Sequence, residues 1–317
     1  MTCSLCPRRC NAPRGFDRLK ADGLELQGAE PESAAGEGTG AARRAVCGMG
    51  ALPRVARAAL HFWEEPCISG TRGSGAVFFS GCALRCAFCQ NEAISHGGAG
   101  ETITPRRLSE IFRELEAQGA HNINLVTAAH FVPAVRQALS LYRPGIPIVY
   151  NSSGYESVET LRSLEGLIDI YLPDYKYIDP AMAKLLSGAA DYPAVAREAI
   201  AEMRRQTGPA AYDADGIMLR GTQIRHLVLP GLSGDAMRIL TDIADNLPEG
   251  TPVSLMGQYV PCGRAKEIPG MDRRVTRREY DRVAAHMRAL GLPGYVQELE
   301  AASDAYVPAF DGTGVGV

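Results

Sequence analysis

Residues 76–89 read AVFFSGCALRCAFC. The run Ala76–Phe79 is apolar and β-prone, and it stops at Ser80-Gly81, residues that favour a turn. Cys82, Cys86 and Cys89 follow at once, a C-x3-C-x2-C triplet carried by one loop. Such spacing lets a loop wrap three thiolates around one metal cluster. Three protein ligands leave one iron of a four-iron cluster open, and an open iron can chelate a substrate. A catalytic zinc keeps a free position for the same reason. A closed zinc site would need a fourth ligand, for which His96 is the nearby candidate.

Working outward, short apolar runs alternate with amphipathic ones. Candidate strands are Ala76–Phe79, Asn122–Val126, Ile146–Tyr150, Ile168–Leu172, Ile224–Leu229 and Pro252–Met256. The clearest helix is Pro105–Gln118, with Leu108, Ile111, Phe112 and Leu115 on one face, Pro105 at its first position and Gly119 beyond its end. Others are expected at Val132–Leu141, Val158–Leu164, Ala194–Gln206, Asp235–Asn246 and Arg277–Leu290. Six strands, most followed by a helix, predict parallel βα units in an α/β fold. Such units curl into an open or closed barrel with functional loops at the strand C-termini. A doubly wound sheet would give a similar string.

The composition narrows the function. At 317 residues and 46% hydrophobic, the chain can bury a sizeable core. A net charge of −3 gives no electrostatic case for nucleic acid or an anionic membrane. No run of about 18 apolar residues exists to span a bilayer. The N-terminus MTCSLCPRRC lacks an apolar signal core, so a cytoplasmic location is expected. In that reducing compartment the nine cysteines read as metal ligands before disulfides.

Besides the triplet, Cys3, Cys6, Cys10 and Cys47 form a complete four-ligand set. Tetrahedral zinc and a second iron–sulfur cluster both suit four thiolates. Arg8, Arg9, Arg43 and Arg44 would offset their charge. Residues 21–42, ADGLELQGAEPESAAGEGTGAA, hold almost no large apolar side chains and read as a mobile loop. The expected organisation is a Cys-rich extension over 1–66, a barrel over 67–300 and a tail over 301–317. Cys67 and Cys262 read as small apolar residues.

Polar residues gather where the expected strands end. Asn151 and Ser153 close the third, though a turn there wants polar residues anyway. Asp174 and Lys176, two apart after the fourth, share a face; the alternative is a surface ion pair. Arg225 and His226 on the fifth point to opposite faces, so only one faces inward. Gln258 and Tyr259 follow the sixth. Glu64 and Glu65 read as a barrel cap or as a solvated acidic pair.

The triplet, together with HFWEEPCISGTRGSGAVFFSGCALRCAFCQN at 61–91, NINLVTAAHFVP at 122–133, YNSSGYE at 150–156, YLPDYKY at 171–177, RHLVLPG at 225–231, MGQYVP at 256–261 and YVQELEAASDAYVPAFDGTGV at 295–315, resembles the radical S-adenosylmethionine (SAM) superfamily. Within it the chain looks most like the pyruvate formate-lyase activating enzymes and their PflX-like branch. The resemblance implies a partial (β/α)6 TIM-like barrel and a [4Fe–4S] cluster on Cys82, Cys86 and Cys89. SAM would bind the open iron; one electron, from a donor such as flavodoxin or ferredoxin, would cleave it to methionine and a 5′-deoxyadenosyl radical. That radical would abstract hydrogen from a substrate, possible substrates being a partner protein and a small molecule. SAM contacts are implied at Phe88 (or its backbone), at Thr127 and His130 in place of the usual Gly-Gly-Glu, at Asn151, Ser153, Asp174 and Lys176, and on the substrate side at His226. A non-catalytic metal protein is the reading from another class.

Overall fold

The computed structural model describes residues 2–19, 45–299 and 307–316. The stretch 21–42, expected as a loop, and Arg43 and Arg44 lie outside them.

The strands are β1 (Arg54–His61), β2 (Ser74–Phe79), β3 (Glu101–Thr102), β4 (Ile123–Val126), β5 (Ile148–Ser152), β6 (Ile170–Pro173), β7 (Ala211–Tyr212), β8 (Met218–Thr222), β9 (Ile224–Leu227), β10 (Val253–Met256) and β11 (Gly294–Val296). Pairing runs β3-β1-β2-β4-β5-β6-β8-β7 in one sheet and β11-β10-β9 in a second. The two are stitched together. The strand 218–227 pairs in parallel with β6 through β8 and with β10 through β9, and a parallel bridge joins Asp174 to Arg225. All six expected strands therefore form, in order and parallel. Strands such as β2 and β5, buried at every position, carry the apolar runs that a sheet covered on both faces requires.

Nine helices accompany them among the described residues: α1 (Pro66–Ser69), α2 (Glu92–Ser95), α3 (Pro105–Ala117), α4 (Val132–Leu141), α5 (Val158–Arg162), α6 (Pro180–Ser187), α7 (Tyr192–Thr207), α8 (Ser233–Asn246) and α9 (Arg277–Ala289). In α3, Thr104 accepts the Arg107 N–H at 3.1 Å, Pro105 opens the helix, and Leu108, Ile111, Phe112 and Leu115 are buried. A reciprocal Thr276/Glu279 capping box starts α9. Helix α6 was not expected from periodicity, although Asp179 caps it, Pro180 opens it and left-handed Gly188 ends it.

Residues 54–61, placed with the extension at the sequence level, instead form the antiparallel edge partner of β2. Their Arg- and Ala-rich composition is no strand signal; pairing decides their state. Residues 307–316 lie along this edge, with Gly312 N–H donating to Ala56 O and Ala58 N–H to Thr313 O.

The sheet curves. The Glu64 carboxylate accepts hydrogen bonds from Asn124 on β4, Asn151 on β5 and Arg225 on β9. In a flat sheet β4 and β9 would be about 14 Å apart, three strand spacings. Its concave face is the lumen of a partial barrel. Helix α1 plugs the lower end, where Cys67 and Ile68 pack on Val149, Ile170, Leu172 and Met218. The convex face is covered by α3–α5 and α7 on one side and by α6–α9 on the other.

Candidate active site

The loop after β2 brings Cys82, Cys86 and Cys89 together at the upper mouth of the barrel, each close enough to another to feel its charge. The wrap depends on two left-handed residues, Gly81 (φ 84°) and Arg85 (φ 51°). A side chain at Gly81 has no room: its Cβ would stand 2.7 Å from the Cys47 carbonyl oxygen. Every sulfur of the triplet receives a donor. Leu84 N–H reaches Cys82 Sγ (3.4 Å), the Ser187 hydroxyl Cys86 Sγ (3.2 Å) and the Ser95 hydroxyl Cys89 Sγ (3.2 Å). Burial raises the Cys82 thiol, and raises Cys89 to about 12, so stable thiolates here need a positive partner. Lys176 supplies part of that charge from nearby.

The donor set fits a [4Fe–4S] cluster: three free thiols on one loop, hydrogen-bonded, beside a lysine, with no fourth protein sulfur in the triplet. Among the described residues no three His, Cys, Asp or Glu groups converge as ligands of one metal ion. A cluster's cysteines take separate irons and stand wider apart.

Below the loop the lumen is polar. Lys176 Nζ donates to Asp174 Oδ2 (2.6 Å), and Arg225 Nε to Asp174 Oδ1 (2.9 Å). Arg225 also donates to Glu64 Oε1 (2.8 Å) and Asn151 Oδ1 (2.7 Å), while Asn151 Nδ2 donates to Glu64 Oε2 (2.8 Å). Burial opposes the charge on Asp174, but Arg225 and Lys176 outweigh it and hold the carboxyl below its ordinary value. The same balance raises Lys176: burial disfavours its charge, and Asp174 and Cys86 more than restore it. Glu65, beneath them, is raised to about 7 by burial and by Glu64. Asn124 Oδ1, Glu65 Oε2 and Ser254 Oγ are buried without a hydrogen-bond partner among the described residues. Such atoms suit a lumen built to receive a polar ligand.

Of the residues singled out from sequence, the triplet, Asn151, Asp174 and Lys176 meet in one site. Thr127 and Ser153 are half-buried at the ends of β4 and β5. Phe88 is buried against Tyr177 (6.3 Å between centroids) and Tyr259 (5.9 Å), so its ring packs the floor of the loop. Two histidines sit elsewhere than expected. His226 turns to the convex face, its Nδ1–H donating to Tyr175 O (2.7 Å), because Arg225 takes the inward position one residue earlier. His130 is a strut beneath the cysteine loop: Nε2–H donates to Ser80 O (2.7 Å), and burial lowers its pKa to about 3. Sequence reasoning left Arg225, Glu64 and Glu65 uncommitted; Arg225's alternation with His226 was the signal for the first.

The quartet also assembles. Cys6 feels the charges of Cys47 and Cys3, and Cys47 those of Cys3 and Cys10. Backbone N–H groups of Arg8, of Ala12 and Val46, and of Met49 point at Cys6, Cys10 and Cys47 respectively. The four thiols do not converge as ligands of one ion, so among the expected centres the arrangement fits an iron–sulfur cluster, whose cysteines take separate irons, better than zinc. Among the described residues no helix is long and apolar enough to cross a membrane.

Residues 76–240 match the family described as the radical SAM superfamily. An uncharacterized protein of Methanocaldococcus jannaschii is 30% identical over 234 residues, 70% of this chain and 63% of the relative. Among solved structures, a radical SAM methyltransferase from Sphaerobacter thermophilus aligns with TM-score 0.46 and 17% identity, over 70% of this chain and 65% of that one. Streptococcus suis SuiB bound to S-adenosylmethionine aligns with TM-score 0.49 and 11% identity, over 70% and 49%. The chain thus spans less than two thirds of each of these proteins. With a family match over 165 of its 317 residues, the chain belongs to the radical SAM superfamily.

Proposed function

We propose that this chain cleaves SAM reductively at a cluster held by Cys82, Cys86 and Cys89 and uses the resulting radical to abstract hydrogen from a substrate. The observation that carries the reading is the hydrogen-bonded cysteine triplet above a buried ionic lumen. When bound, the cluster supplies one electron to the sulfonium, which separates into methionine and a 5′-deoxyadenosyl radical.

The chain's own residues bind, orient and exclude water. Lys176, held toward the triplet by Asp174, offsets thiolate charge and offers N–H donors to a carboxylate at the mouth. Asp174 in turn is pinned by Arg225, which Glu64 and Asn151 fix in place. This chain of ion pairs is preorganised and buried, so its dipoles need no rearrangement when a charged ligand enters. Thr127, Asn151 and Ser153 lie at strand ends where further contacts to SAM fall. Phe88 and Tyr259 close the loop against solvent. The unpartnered Asn124, Glu65 and Ser254 atoms offer sites for polar groups of a ligand.

The finer reading rests on the sequence resemblance: hydrogen is taken from a partner polypeptide, as in activating enzymes, with the electron from a flavodoxin- or ferredoxin-type donor. The quartet Cys3, Cys6, Cys10 and Cys47 holds a second metal centre, for which an iron–sulfur cluster suits better than zinc, because the four thiols do not converge on one ion. Anaerobically reconstituted protein with dithionite and SAM is expected to release 5′-deoxyadenosine, and Cys86→Ala to release none. Undiminished product from Cys86→Ala removes the proposal. Deuterium transfer from labelled candidates into 5′-deoxyadenosine then separates a polypeptide from a small-molecule substrate.

A further inference from the structure

Arg8 belongs to the N-terminal quartet by sequence and to the cysteine loop by contact. It lies between Cys6 and Cys10, in a turn closed by Arg9 N–H donating to Cys6 O (3.0 Å), with Arg9 and Asn11 at φ 38° and 51°. Its guanidinium leaves that turn and spans three backbone carbonyls: Ala83 O (3.0 Å), Ser187 O (2.8 Å) and Gly188 O (2.6 Å). It also lies over the Tyr155 ring, 5.3 Å from the centroid. Ala83 stands between Cys82 and Cys86, and Ser187 and Gly188 end α6. The Ser187 hydroxyl donates to Cys86 Sγ, and Ala87 N–H donates to Leu186 O (2.7 Å). One side chain therefore fastens the radical loop to the helix that hydrogen-bonds its central sulfur. The cation also caps the negative end of α6.

We propose that the N-terminal quartet is a metal centre whose task is to present Arg8, so that filling it fixes the loop carrying Cys82, Cys86 and Cys89. This rests on the proposed function above. Residues 2–15 form no helix or strand; a single bridge, Thr2 to Pro13, and the turn at Cys6 are their regular features. A segment so short takes its shape from its ligand, as small metal sites do. The two centres touch directly as well, since the Cys47 carbonyl occupies the space beside Gly81. Losing the metal releases Arg8, and with it the Ser187 donor to Cys86. Hydrogen bonds to cluster sulfurs set reduction potential, so the change is visible spectroscopically.

The test compares wild type, Arg8→Ala, Arg8→Lys, Cys3→Ala/Cys6→Ala and the combined variant, all full-length and reconstituted anaerobically. Iron and zinc content, the EPR spectrum of the dithionite-reduced cluster with and without SAM, and its midpoint potential are read. Arg8→Ala is expected to keep both metals yet shift the spectrum and potential and lose iron in air about tenfold faster, the equivalent of one charge-assisted hydrogen bond. Arg8→Lys restores part of the shift. The double cysteine variant loses the second metal and shows the Arg8→Ala shift, and the combined variant adds nothing further. An unchanged spectrum in Arg8→Ala, additive shifts, or a wild type without a second metal overturns the proposal. A wild type lacking any SAM-responsive cluster signal overturns the proposed function with it.

Discussion

The two faces of the barrel treat buried polar groups differently, and neighbours on β9 make the contrast sharp. Arg225 points into the lumen and joins Glu64, Asp174 and Asn151 in a network that ends at Lys176 beside the triplet. His226 points outward and meets one backbone carbonyl within an apolar layer that includes Val228, Leu255 and Ile239. The same division separates Glu65, under the lumen network, from Glu156, which accepts from Ser152 (2.6 Å) and Tyr150 on the convex side. Inside, Glu64, Asp174, Lys176 and Arg225 are paired with one another. Outside, Glu156 and the bonded ring nitrogens of His130 and His226 meet near neighbours and do not join that network. Burial alone therefore does not mark a functional group.

The largest effect is expected at Arg225. Arg225→Met leaves Glu64 and Asp174 buried without their cation, which costs about 3–5 kcal/mol. Urea unfolding should record that loss, and 5′-deoxyadenosine release should fall with it even in protein that remains folded. A stable variant with normal release would break the contrast. Next come the two glutamates, each raised to about 7 from an ordinary 4.5, in both cases chiefly by burial. The folded state holds these protons more tightly than the unfolded chain. Their stabilising contribution is thus complete below pH 4.5 and is lost as pH rises through 7, roughly 3 kcal/mol for each group. Glu65→Gln and Glu156→Gln should each remove about half of this slope in denaturation series, while only Glu65→Gln alters SAM affinity. Equal effects of both on SAM binding would erase the distinction between faces. The smallest change is expected from His226→Leu, which strips the Tyr175 carbonyl of its donor at a cost of about 1–3 kcal/mol. SAM cleavage per folded molecule should stay unchanged, and a selective loss of cleavage would return His226 to the site.

Much of this arrangement was legible before any coordinates. The C-x3-C-x2-C spacing after Phe79 announced the loop, and the strand–helix alternation announced parallel βα units, because both are local patterns of side-chain chemistry. Asp174 and Lys176, expected on one face from the two-residue period of a strand, meet as an ion pair just beyond the end of β6 at Pro173. The same period separated Arg225 from His226 without saying which faced inward, since a period carries no sign. His130 was singled out because it follows β4; one ring nitrogen bonds the Ser80 carbonyl and the other, Nδ1, has no partner among the described residues. Glu64 and Glu65 looked like surface charges because acidic pairs usually are; their place in the lumen follows from α1 entering the barrel as a plug.

By itself the sequence determined the spacing of the three cysteines on one loop, the succession of the parallel strands and the composition of a four-cysteine extension, all properties written within short stretches of chain. Only the tertiary structure decided that the sheet curves enough for one carboxylate to reach three strands. Only it decided that Arg8 lies against Ala83, Ser187 and Gly188. Those contacts join residues 60 to 180 positions apart, and their energy depends on burial and on shape that no local pattern encodes.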